Sequence, residues 1–179
     1  MPKSIQSLRE EHEVILRALD ILNIIGNSKG IGREVIDDIK KIVEFIKNFV
    51  DNCHHEKEEK VLFNFLERKG FVEGPIQVML YEHNELRQMI NQIESKYNEP
   101  EGLKESLDSL ILLLTSHIDK ENSVLFPMAE NMITDEEDKE LYERFEGIEK
   151  EFGINRHKEY VNLVNNLYTK YSNLHSIGM

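Results

Sequence analysis

One cysteine, no tryptophan, four prolines and nine glycines in 179 residues leave this chain few devices that staple or interrupt a fold. With Cys53 alone, an intramolecular disulfide is excluded, and a reducing compartment, the cytoplasm, is the expected setting. Positive charge is also scarce. Against 34 acidic residues stand 22 basic ones, a net charge of −12 that repels phosphate backbones and anionic headgroups, so neither nucleic acid nor a membrane surface is an expected partner. An amino-terminal apolar signal segment and a long uncharged run are both missing, so neither secretion nor a membrane span is expected. One domain with its own core suits this length.

What is present is helical periodicity. Ile5, Leu8, His12, Ile15, Leu19 and Leu22 recur at spacings of three and four, predicting a helix from about Ser4 to Ile25. A second stripe runs through Ile39, Ile42, Val43, Ile46, Phe49, Val50, Cys53, Val61, Leu62 and Phe65. A third, opened by Pro75, carries Ile76, Met79, Leu80, His83, Leu86, Ile90 and Ile93. Pro100 and Gly102 break the chain before a fourth, on which Leu103, Leu107, Leu110, Ile111, Leu114, His117, Ile118, Val124, Leu125 and Met128 are expected to face inward. Four such helices with short connections predict an all-α, up-and-down four-helix bundle over residues 1–130. Residues 131–179 read as a carboxy-terminal helical extension: Thr134 and Glu137 form a capping-box pattern before one helix, and Gly153 separates it from another with enough apolar residues to dock on the bundle or on a second subunit as a dimer.

The two halves of the bundle echo each other. "EEHEVILRAL" resembles "YEHNELRQMI", aligning His12 with His83, and "HHEKEEKVLF" resembles "SHIDKENSVLF", aligning His54 with His117 and Glu58 with Glu121. Each half thus supplies one histidine from its first helix and H-x-x-x-E from its second. Residues i and i+4 share a helix face, so His54 with Glu58, and His117 with Glu121, aim into the apolar stripes. Burying ionised carboxylates without compensation costs several kcal/mol each, and metal ions supply the missing charge while using imidazole well. Adjacent helix positions differ by about 100°, so His54 and His55 address two ions rather than one. The most economical assignment places His12 and His54 on one metal and His55, His83 and His117 on the other, with Glu58 and Glu121 bridging. A bland alternative leaves His55 as a boundary residue bonded to Glu59. Lys57, Glu59 and Lys60 read as the wet or boundary face, His157 as surface, His175 as exposed tail and Cys53 as core filler.

"EEHEVI", "CHHEKEEKVLF", "GPIQVMLYEHNELR" and "HIDKENSVLFP", in this order over residues 5 to about 130, resemble the hemerythrin-like, or HHE cation-binding, family. The resemblance implies two non-haem iron ions bridged by two carboxylates and an oxo or hydroxo group. Oxygen-carrying members take an H-x-x-x-H pair from the third helix; here Arg87 follows His83 by one turn, and the fourth helix has H-x-x-x-E. With His55 in place of the missing histidine, five histidines and two carboxylates are restored. Expected roles are binding of dioxygen, nitric oxide or peroxide for sensing, storage or protection; turnover of peroxide or nitric oxide as an oxidoreductase; and iron storage or delivery. The E-x-x-H spacing of ferritin-like sites and the H-E-x-x-H of zinc proteases are both missing.

Overall fold

A computed structural model describes residues 1–28, 30–71 and 74–177, with side chains to residue 174; the side chain of His175 lies outside the described residues. Among the described residues there are six helices and no strand. They are α1 (Lys3–Gly26), α2 (33–68), α3 (Pro75–Ser95), α4 (103–130), α5 (Asp135–Phe152) and α6 (Ile154–Ile177). The first four form the bundle: α1 packs on α4, α2 on α3, and α3 on α4. None of the described helices is long and apolar enough to cross a membrane.

The extension lies on the bundle of its own chain. α6 runs along α1, which α5 also touches. α1 is therefore covered on two sides, and a second buried row of Ser4, Glu11, Val14, Ala18, Ile21 and Ile25 joins the expected stripe. Thr134 and Glu137 form the capping box at the start of α5, each side chain bonding the other's backbone N–H. A single residue, Gly153, separates α5 from α6 at φ +109°, a backbone conformation that L side chains rarely adopt. That abrupt turn carries residues one turn into α6 back over α1 and α2.

Two apolar cores result. The larger joins Ile15, Leu19 and Leu22 of α1 to Ile46, Phe49 and Val50 of α2, Leu86 and Ile90 of α3, Leu110 and Leu114 of α4, and Val164 and Leu167 of α6. The smaller joins Ile5 and Leu8 to Leu62, Phe63, Ile76, Met79, Leu125, Phe126, Leu141 and Phe145. Each bundle helix crosses from one core to the other beside its histidines: His12 between Leu8 and Val14, His54 and His55 between Val50 and Val61, His83 between Met79 and Leu86, and His117 next to Ile118, after which α4 passes to Leu125 of the smaller core. A polar layer thus lies between two apolar ones, each of whose buried Leu, Ile or Phe side chains contributes roughly 1.5–3 kcal/mol.

At this layer the helices widen. α2 is π-helical over Ile46–His54 and again over Glu58–Phe63, and α4 over Glu121–Leu125, with His55 N–H donating to the Val50 carbonyl and Phe126 N–H to that of Glu121. Such turns are rare and gather at functional sites. Each inserts an extra residue and shifts the face that follows. Val124 and Met128, expected to face inward, are therefore exposed, and their places in the core go to Leu125 and Ala129. Lys57 also departs from expectation: it is wholly buried, because α5 covers the face of α2 on which it stands.

Candidate metal centre

The layer between the cores contains His12, His54, His55, Glu58, His83, His117 and Glu121, all of them buried. Their side-chain atoms gather into two groups, His12, His54, Glu58 and Glu121 in one and His55, Glu58, His83 and His117 in the other, with ligand-type atoms in each group within 4.8 Å of one another. Glu58 faces both ways: Oε1 is 3.2 Å from His54 Nε2, and Oε2 is 3.4 Å from His83 Nε2. So does Glu121, with Oε2 3.1 Å from His12 Nε2 and Oε1 3.2 Å from His117 Nε2. His55 stacks on His83 with ring centroids 3.7 Å apart.

The opposite nitrogen of every imidazole is held from behind. His12 Nδ1 lies 2.9 Å from Asn122 Oδ1, His54 Nδ1 2.7 Å from Glu11, His83 Nδ1 2.7 Å from Glu59, His117 Nδ1 2.8 Å from Glu82 and His55 Nδ1 3.4 Å from Asp51. A carboxylate or amide oxygen only accepts, so each Nδ1 carries a proton, which leaves Nε2 as the nitrogen that can offer a lone pair inward once it is deprotonated. A cation fixes each acceptor in turn: Arg9 on Asn122, Lys57 on Glu11, Arg87 on both Asp51 and Glu59, and Lys120 on Glu82.

The inward atoms face only one another, across distances of 3.1–3.4 Å. His12 Nε2, His54 Nε2 and all four oxygens of Glu58 and Glu121 are buried without a hydrogen-bond partner. An unsatisfied buried polar group costs about 1–3 kcal/mol, and six at one point are a deficit that metal ions between the two carboxylates would remove. Imidazole nitrogens and carboxylate oxygens are the donors that iron, manganese and zinc accept.

A family model described as the hemerythrin HHE cation binding domain matches residues 3–129. The chain belongs to this family. Non-haem iron is the metal that membership implies. The iron-sulfur cluster repair protein YtfE of Yersinia pseudotuberculosis serotype O:1b is 29% identical over 129 residues, covering 65% of this chain and 56% of that protein. YtfE of Yersinia pestis strain Pestoides F matches to the same extent. The matched region thus spans little more than half the length of those relatives.

Several residues of this HHE domain's centre escape the sequence reading. Glu11, Glu59, Glu82, Asp51 and Asn122 look like ordinary surface polarity, yet they orient the five imidazoles. The echo could have found four of them: Glu11 and Glu82 each precede a histidine of the first-helix motif, and Glu59 and Asn122 each follow a glutamate of the second. His55 bonds Asp51 rather than Glu59. Its equivalent in the second half is Ile118, so the echo breaks here and only one group has a third histidine. His157 is not plain surface: its Nε2 lies 3.0 Å from Glu11 Oε1, and its ring packs on Phe49.

Without metal, protons collect where metal would be. Burial pushes the His54 imidazolium down, but Glu58 and Glu11 outweigh it and leave its pKa at about 10. Burial is likewise outweighed by Glu58 and Glu59 at His83, which stands at about 9. Burial and the neighbouring His83 depress His55, which stays neutral. Glu58 and Glu121 are held below the usual carboxylate range by the histidines, against burial, and contribute no proton. Burial is outweighed by Glu121 at His117 too, which is raised, so metal loading near neutral pH is expected to release at least two protons, and apparent affinity climbs by about a hundredfold or more per pH unit between about pH 6 and 8. Calorimetry of metal binding in buffers of different ionisation enthalpy checks this.

Proposed function

We propose that the chain holds two non-haem irons side by side, one served by His12 and His54 and the other by His55, His83 and His117, with Glu58 and Glu121 bridging. The observation that carries this reading is the division of each glutamate's two oxygens between the two groups. Two adjacent irons, one with fewer protein ligands than the other, supply an open coordination position for a small ligand such as dioxygen, nitric oxide or peroxide. The chain's own residues orient the imidazoles, screen the carboxylates behind them with cations, of which Lys57 is buried, and exclude bulk water with an apolar core above and below. The reading is thus a cytoplasmic protein that binds such a ligand for sensing, storage or protection.

A second reading is favoured by the relatives, whose name describes the repair of iron-sulfur clusters: iron leaves this centre for a damaged cluster. Anaerobic reconstitution followed by iron analysis and absorption spectroscopy tests the shared premise, with two irons per chain expected; a protein that retains no iron sinks both readings. Ligand binding predicts a spectrum that changes with dioxygen or nitric oxide and returns when the gas is removed. Iron delivery predicts instead that an apo iron-sulfur protein draws the metal out faster than buffer does.

A further inference from the structure

The internal echo supplies a comparison within one molecule. His54, Glu11 and Lys57 in the first half correspond to His117, Glu82 and Lys120 in the second, and the two sets make the same contacts, imidazole Nδ1 to glutamate to ammonium. Their surroundings differ. The Lys120 side chain is 38% exposed, whereas that of Lys57 is 0% exposed. The difference is made by the extension: Glu149 at the end of α5 lies 2.5 Å from Lys57 Nζ, and His157 at the start of α6 places Nε2 3.0 Å from Glu11 Oε1. Glu11 is then fully engaged, with Lys57 at 2.6 Å and His157 on Oε1, and His54 on Oε2 at 2.7 Å.

From this asymmetry we infer that the carboxy-terminal helices act on one metal position of the two: His157 and Glu149 are positioning residues that fix Glu11, and through it His54, while the His117 position has no equivalent support among the described residues. The inference rests on the two-iron reading, and it assigns to residues 131–179 a role outside the region that the family model matches. A carboxylate whose oxygens are all engaged cannot swing away from the imidazole it orients. Its accepting strength toward His54 is shared with two other hydrogen-bond donors, so the His12–His54 metal is set apart from its neighbour in both retention and electronic character.

The test uses the full chain loaded with iron and reads the transfer of each iron to a ferrous chelator, together with the Mössbauer spectrum, which resolves inequivalent irons. His157→Ala is expected to keep two irons at equilibrium, yet to speed release of one by up to about 10-fold, the lower end of what losing a partner bonded directly to a ligand costs, because His157 acts one step further out, and to shift one Mössbauer doublet. His157→Gln, which keeps a donor able to reach Glu11, is expected to restore the wild-type rate. Glu82→Gln is expected to speed the other iron, and its effect to add to that of His157→Ala, as it does for sites without shared partners. Equal acceleration of both irons by His157→Ala, or acceleration of neither, overturns the inference while leaving the two-iron reading intact. A wild-type protein that takes up no iron overturns the reading itself. Glu149→Gln, which keeps the side-chain shape on the partly exposed side of Lys57, gives the same readout should His157→Ala fail to fold.

Discussion

Glu58→Ala is expected to take the iron content from two per chain to nearly none. His54→Ala and His117→Ala each remove an imidazole from one group, and each is expected to lose at least one iron. Glu58 serves both groups, with one oxygen 3.2 Å from His54 Nε2 and the other 3.4 Å from His83 Nε2. Removing it also removes half of the anionic charge that the inward-facing imidazoles cannot supply. The loss of affinity at each position should exceed the roughly hundredfold that an outer hydrogen-bond partner is worth. Glu58→Gln distinguishes charge from shape. An amide offers one oxygen and an NH2 group, and that NH2 would point its hydrogens at one of the two groups, where a metal needs a lone pair. Iron analysis after anaerobic reconstitution, with circular dichroism to confirm that the bundle is kept, decides the matter: two irons retained in Glu58→Gln would mean that the carboxylate does not bridge.

The helices, their order and the convergence of seven side chains were legible because each rests on periodicity. A histidine and a glutamate four residues apart on an apolar stripe can point only inward, and the repetition of that pair in the other half of the chain set the four helices in register. What was not legible depends on contacts far away in sequence. Lys57 stands among Glu56, Glu58, Glu59 and Lys60 and looks like part of a solvated face; only the packing of α5 buries it. His157 is 146 residues from Glu11 and acquires its place from the turn at Gly153. The inward expectation for Val124 and Met128 failed for a local reason, because a strict period of 3.6 does not survive the π turn at Glu121–Leu125. Glu121 itself begins that turn, so the widening that spoils the pattern belongs to the candidate site.

Lys57→Ala should produce the largest loss of stability in the metal-free protein. The ammonium is wholly buried between Glu11 and Glu149, and its pKa is raised, since the carboxylates outweigh the burial that opposes them. Breaking a buried pair by deleting one partner costs roughly 3–5 kcal/mol because the other charge is left uncompensated. The exposed edge of Glu149 screens part of this, so about 3 kcal/mol is expected, a fall in Tm of about 6–12 °C for a chain of this size. Lys120→Ala removes the corresponding ammonium from a partly exposed position, where an ion pair is worth at most about 1 kcal/mol, and should shift Tm by a few degrees at most. Glu11 keeps His54 and His157 as partners when Lys57 is gone, so Glu11→Gln should cost less in the Lys57→Ala background than alone, where it also strands the buried ammonium; the double-mutant cycle isolates the coupling. Acid removes the charge on which this pairing rests. Glu11 has its folded pKa depressed, with burial opposing and Lys57 and the histidines prevailing, so its contribution is present above the ordinary carboxylate range and disappears as the pH falls through that lower value. The difference between wild type and Lys57→Ala should therefore narrow in acid. Thermal unfolding of the metal-free proteins from about pH 7 downward measures it, and a gap that stays constant would mean that the Lys57 aliphatic stem, and not its charge, holds this corner of the fold.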